Sequence, residues 1–136
     1  MNSILKFSLL ALLVCVVLPA GTHPQQGFQV KVTLQKDLSA YAGRDIVLSV
    51  GEVTIPPGTA GTKHRHPGPT FVYVLEGAVE VELEGASAKV YGAGESFYED
   101  AHQLHISTKN VSAAEPARIL AYHLSHKGEP LTQPEK

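Results

Sequence analysis

The sequence has no tryptophan and a single cysteine, Cys15. One thiol cannot close a disulfide within the chain, so stability must come from a hydrophobic core. No two lysines or arginines are adjacent, and the formal net charge is -2. A nucleic-acid partner is therefore not expected, because phosphate binding calls for clustered basic charge. Apolar runs long enough to span a bilayer are also missing. The longest, Phe7 to Leu18 with only Ser8 breaking it, falls short of the roughly 20 residues a membrane helix needs. It follows Lys6 and leads to Pro19 and the small residue Ala20, the charge, apolar and small-residue order of a secretory signal. Residues 1–20 are accordingly read as a signal peptide. Its removal takes Cys15 with it, leaves no stable membrane span and sends the protein to the periplasm or outside the cell. Nothing in the chain matches a Gly-x-Ser-x-Gly nucleophile turn, a phosphate-cradling loop or a dinucleotide fingerprint, so serine-hydrolase and nucleotide-dependent chemistry lack support.

What is present is turn chemistry: 12 glycines and 9 prolines in 136 residues. They punctuate short apolar segments at 28–34, 46–55, 71–75, 78–83, 89–91, 96–98, 104–108 and 118–124. That is the pattern of an all-β sandwich or barrel. Val79, Val81 and Leu83 alternate with Glu80, Glu82 and Glu84, which predicts a half-buried strand. Phe71 to Leu75 is apolar on both parities, so a second sheet must cover one face and a partner subunit is expected on the other, giving a homodimer. Glu76-Gly77 reads as a tight hairpin turn between these two strands. A brief helix is expected near Asp37 to Tyr41. Residues 21–44 read as a polar leader and first strand, 45–124 as the barrel, and 125–136 as a flexible tail.

Seven histidines remain to be placed. In His64-Arg65-His66 the two imidazoles lie on one face of an extended strand, with Cα atoms roughly 6.6 Å apart, a spacing suited to chelation. Spacing alone does not decide this, since such pairs on surface strands are more often solvated. Pro56-Pro57-Gly58 before the pair and Pro67-Gly68-Pro69 after it are rigid turns that would fix the histidine geometry. His102 is a candidate extra ligand or general acid/base if its loop leans over the site. His123 reads as a satisfied core or edge residue, and His23 and His126 as solvated. Glu95, Glu99 and Asp100 read as solvated carboxylates, and Ser107 and Tyr73 as packing residues.

These residues resemble the two motifs of the cupin superfamily. Gly58, His64-x-His66, position 70 and Gly77 are similar to the first motif, with Thr70 standing where the family usually carries a glutamate ligand. Asp100-Ala101-His102-Gln103-Leu104-His105, with Asn110 beyond, is similar to the second. There Asp100 and His102 replace the usual proline and glycine, and Gly94-Glu95 resembles the turn that leads in. The resemblance spans roughly 45 to 124. It implies a single jelly-roll barrel, a double-stranded β-helix, holding a divalent transition metal (iron, manganese, copper, nickel or zinc) on His64, His66 and His105. Thr70 is a further candidate ligand. It also implies a small-molecule partner and two functional classes. One is a metal-dependent, dioxygenase-like enzyme acting on a small chelating, enolic or diol substrate; the other is a non-catalytic module that binds metal or ligand. With threonine in place of the carboxylate, a more positive metal centre with a weaker hold on hard cations is expected.

Overall fold

The computed structural model of the chain describes residues 27–37 and 45–135, and every regular element among them is a strand. In chain order these are β1 (Gln29–Asp37), β2 (Ile46–Ile55), β3 (His64–Arg65), β4 (Thr70–Glu76), β5 (Ala78–Leu83), β6 (Lys89–Gly92), β7 (Ser96–Glu99), β8 (Leu104–Asn110), β9 (Ala117–His126) and β10 (Gln133–Pro134). They form two five-stranded sheets, ordered β1-β2-β9-β4-β7 and β10-β3-β8-β5-β6. Every ladder is antiparallel. This is a jelly-roll barrel, the fold that the motif resemblance implies and one of the two all-β architectures that the turn-punctuated pattern allows. The signal peptide and the short helix expected near Asp37 lie wholly or largely outside the described residues.

The core follows from side-chain alternation. Thr70, Val72 and Val74 of β4 face the interior, as do Val79 and Val81 of β5, Phe97 of β7, and Ala117, Ile119 and Ala121 of β9. Each fully buried valine contributes about 1.5–3 kcal/mol relative to exposure. The opposite parity of β4 is open: Phe71 and Tyr73 are 49% and 42% exposed, and Tyr98 of β7 is 46% exposed. The Phe71 and Tyr98 rings lie 5.0 Å apart, and Phe71 is also in register with Tyr122. An aromatic stripe thus crosses the outer face of the first sheet.

Two expectations are corrected. Residues 76–77 do not close a hairpin, because β4 pairs with β7 and β9 whereas β5 pairs with β6 and β8. The chain instead turns a corner from one sheet to the other at Gly77, whose φ is 73°. An added Cβ there would stand 3.2 Å from the Ala117 backbone, so the glycine serves both the turn and a close approach. Nor is the tail loose throughout. β10 pairs with β3, Gln133 opposite Arg65 and Pro134 opposite His64, and Arg65 joins Glu135 and Glu84 in ion pairs at 3.1 and 3.3 Å. Without β10, β3 would present unpaired backbone groups at a sheet edge. Asn110, 1% exposed, is a structural clamp. Its amide donates to the carbonyls of Ile55 and Glu115 at 3.0 and 2.8 Å and its oxygen accepts from the Ser112 N–H at 2.9 Å.

Candidate metal centre

β3 and β8 bring the histidines together. His64 and His105 face each other in register, with ring centroids 4.7 Å apart, and the His66 ring lies 4.8 Å from that of His64. One ligand atom from each of the three lies within 4.8 Å of the others. His66 and His105 are only 6% and 4% exposed. The Pro67-Gly68-Pro69 turn holds β3 against β9, where the Leu124 N–H donates to the Pro69 carbonyl at 3.1 Å.

Hydrogen bonds set the tautomers. His64 Nδ1 is 2.8 Å from the Thr62 carbonyl and His66 Nδ1 is 2.7 Å from that of Leu131. A carbonyl only accepts, so each Nδ1 carries the proton and each Nε2 presents a lone pair. Those two Nε2 atoms are 3.2 Å apart. Two neutral acceptors at that separation repel unless a cation lies between them, which is the arrangement expected of metal ligands fixed by carbonyls behind them. The donor set therefore fits a transition metal bound through imidazole nitrogen. Burial lowers the pKa of His64, partly offset by its bond to Thr62 and reinforced by the other two rings, which favours the neutral, metal-ready form.

Two residues read as bystanders in the sequence belong to this site. Glu99 is 3% exposed, and its Oε2 lies 3.0 Å from His105 Nδ1 and 3.4 Å from His66 Nε2. Burial alone would push its carboxyl up, but the hydrogen bond from His105 and the field of the three imidazoles outweigh this and lower it. The sequence reading ended this strand at Tyr98, one residue short. The available signal was parity, because Glu99 shares the inward face with Phe97. The second is His123, which does have a partner but lines the cavity. Its Nδ1 is 3.0 Å from Thr70 Oγ1 and its ring 4.7 Å from that of His66. Burial, with the His66 charge, pushes its pKa down to about 4. Thr70, 1% exposed, is in register with both Glu99 and His123.

His102 is exposed and is not among the cavity-lining residues. It takes the glycine position of the second motif with φ 60°, and its backbone N–H donates to the His66 carbonyl at 2.9 Å. The backbone at this position, rather than the imidazole, supports the site. Tyr73 faces outward, and Ser107 does not line the cavity.

The cavity in front of the histidines measures about 350 Å³, with walls that include Phe28, Val53, Val72, Phe97, Ile119 and Leu131. Leu131 thus contributes a wall and, through its carbonyl, the His66 tautomer. Deleting residues 129–136 should lower metal affinity by about 10–100-fold, the usual effect of losing a group that orients a ligand, as read by calorimetric titration.

His123 also sets a pH dependence for the metal-free protein. Unfolded, its ring takes up a proton near pH 6.5; folded, it does so only at about pH 4. Acidification between those values protonates the unfolded chain preferentially and removes stability. A loss of about 2 kcal/mol is expected between pH 7 and 4.5, taking each unit at about 1.4 kcal/mol and discounting for partial exposure. Urea midpoints at the two pH values check this, and a His123→Gln variant should show a smaller loss.

The family model described as Cupin domain matches residues 51–123. No curated protein sequence matches the chain. Among solved structures, a cupin 2 domain-containing protein from Halorhodospira halophila superposes with a TM-score of 0.62 at 20% identity, covering 86% of this chain and 76% of that one. The DMSP lyase DddQ from Ruegeria pomeroyi DSS-3 gives 0.63 at 20% identity, covering 87% and 58%. KdgF from Halomonas sp. gives 0.54 at 26% identity, covering 85% and 86%.

Proposed function

We propose that this chain, which belongs to the cupin domain family, is an exported metal-dependent enzyme with dioxygenase-like chemistry on a small substrate bearing adjacent oxygens. The observation that carries the reading is the convergence of the His64 and His66 Nε2 lone pairs at 3.2 Å, beside His105 and at the head of an apolar cavity. A bound divalent transition metal (iron, manganese, copper, nickel or zinc) would supply Lewis acidity and open positions for a chelating enol or diol.

The chain's own residues divide the remaining work. The Thr62 and Leu131 carbonyls orient the two imidazoles. Val53, Val72, Phe97 and Ile119 line the cavity and keep water from the reacting atoms. Thr70 orients the His123 ring, a neutral hydrogen-bonding group beside the substrate. Oxygen uptake with a panel of flavonols and other diols tests the reading. Metal-dependent turnover that disappears in His64→Ala supports it. A protein purified without chelators that carries no metal, and shows no thermal shift with any of the five ions, would sink it.

A second reading, a binding or sensing module without turnover, is favoured by Thr70, where the family usually has a carboxylate. Stoichiometric retention of an unchanged ligand would select it, and consumption of the ligand would reject it. Lyase chemistry at the same centre is a variant, suggested by the likeness to a DMSP lyase, and product analysis separates it from oxygenation.

Export and assembly complete the proposal. The signal at 1–20 should be absent from protein recovered outside the cytoplasm, as read by mass spectrometry of its N-terminus. The open aromatic stripe of Phe71, Tyr73 and Tyr98 suits a second copy of the chain, because contiguous apolar surface of this kind marks association sites. Light scattering should give the mass of a homodimer, and Phe71→Lys with Tyr98→Lys should give a monomer. A monomeric wild type would reject the interface.

A further inference from the structure

We infer that Glu99 is a fourth metal ligand, supplying from β7 the carboxylate that the first motif lacks at position 70. This rests on the metal-centred reading and extends it to a residue outside both motif ligand positions. Two acceptors, His66 Nε2 and Glu99 Oε2, face each other with no donor between them. His66 Nε2 presents a lone pair, since its Nδ1 proton goes to Leu131, yet the Glu99 Oε2 stands 3.4 Å away in a region where Glu99 is 3% exposed. An anionic oxygen facing an imidazole lone pair is unfavourable in so dry a place unless a cation is shared.

Three successive contacts around the centre have the lengths such sharing needs, although the closest three-residue group is that of the histidines alone. Bonds of about 2.0–2.2 Å place neighbouring ligand atoms about 3.0 Å apart on an octahedron and about 3.4 Å apart on a tetrahedron. The separations are 3.2 Å for His64 Nε2 to His66 Nε2, 3.4 Å for His66 Nε2 to Glu99 Oε2, and 3.0 Å for Glu99 Oε2 to His105 Nδ1. Both His105 nitrogens are engaged in the metal-free protein, Nε2 by Thr108 Oγ1 at 2.6 Å and Nδ1 by Glu99 at 3.0 Å, and a metal taking the place of the proton shared with Glu99 would be held by Nδ1 and Oε2 together. Sheet register explains how the carboxylate moved. Thr70 and Glu99 are direct partners between β4 and β7, and directly paired residues project from the same face with Cβ atoms about 4.5–5.5 Å apart. A carboxylate stepping one strand sideways still reaches the centre. Thr70, released from ligation, holds His123 instead. The centre then has three nitrogens and one anionic oxygen, and it keeps the hold on manganese(II) and iron(II) that three imidazoles alone would weaken.

Calorimetric titration of the metal-free protein with Mn²⁺ and Co²⁺ tests the assignment in wild type, Glu99→Gln and Glu99→Gln/Thr70→Glu. Glutamine preserves the shape and can still accept from His105, so a purely orienting role survives it. The expected result is at least a 30-fold loss of Mn²⁺ affinity in Glu99→Gln, a change in the Co²⁺ visible spectrum, and recovery to within about fivefold in the double variant. A Glu99→Gln protein that binds both ions within threefold of wild type, with an unchanged Co²⁺ spectrum, overturns the assignment while leaving the three-histidine centre standing. A double variant as weak as the single one overturns the shared position. A wild type that binds neither ion overturns the centre and the assignment together. Should Glu99→Gln fail to fold, a crystal structure of the zinc-loaded wild type decides. A Zn–Oε2 bond of about 2.0–2.2 Å supports ligation, and an oxygen beyond bonding range overturns it.

Discussion

A His66→Ala variant should lose at least 100-fold in transition-metal affinity while its metal-free fold stays within about 1 kcal/mol of wild type. The first half follows from the ring's position. His66 is the residue whose Nε2 borders both His64 Nε2 and Glu99 Oε2, so its removal takes away the donor that links the two. The second half follows from opposed effects. Deleting the ring removes the bond to the Leu131 carbonyl, a net loss of about 1 kcal/mol, and leaves a void. It also relieves the repulsion of acceptors that crowd one another in the absence of a cation. The contrast is read by thermal denaturation. Metal at 1,000 times its dissociation constant stabilises the wild type by about 4 kcal/mol, and the same metal concentration should shift the variant hardly at all. His102→Ala, which touches the site only through its backbone, should keep the full shift.

The parts of this architecture that were legible in the sequence are those written in local pattern. Alternation of Val79 and Val81 with Glu80 and Glu82 set the inward face of β5. Two histidines two residues apart between proline turns and, through the motif resemblance, His105 are the three rings that the fold brings into one group. The parts that were not legible depend on partners distant in the chain. Glu99 lies at the end of a four-residue strand, and only its register with Thr70 shows that it faces imidazoles rather than water. His123 was placed on a strand correctly, but its role depends on Thr70, 53 positions earlier. β10 has too little apolar character to stand out, because its worth lies in closing the β3 edge and delivering the Leu131 carbonyl. Gly77 looked like a hairpin glycine because a positive φ suits both a hairpin and a corner between sheets. Pairing partners, rather than composition, distinguish the two.

Gly68→Ala should destabilise the protein by more than about 3 kcal/mol, a loss in the range reserved for a small set of named mechanisms. The mechanism here is collision of backbone with backbone. A Cβ built on Gly68 would lie 1.7 Å from the Leu124 carbonyl oxygen and 2.8 Å from its carbon, and neither atom can rotate aside as a side chain would. Either the turn or β9 must move, and the Leu124 N–H to Pro69 carbonyl bond at 3.1 Å ties the two together. Position 68 sits two residues after His66, and Leu124 directly follows His123, so displacement separates two rings now 4.7 Å apart. The variant should therefore lose metal affinity along with stability. Gly51→Ala is the control, since its added methyl would meet Val30 Cγ1 at 3.6 Å and the Lys31 carbonyl oxygen at 3.9 Å, both ordinary contact distances, and should change the urea midpoint little. Equal effects at the two positions would mean that the turn yields freely, and that the Pro67-Gly68-Pro69 segment does not hold the histidines in place.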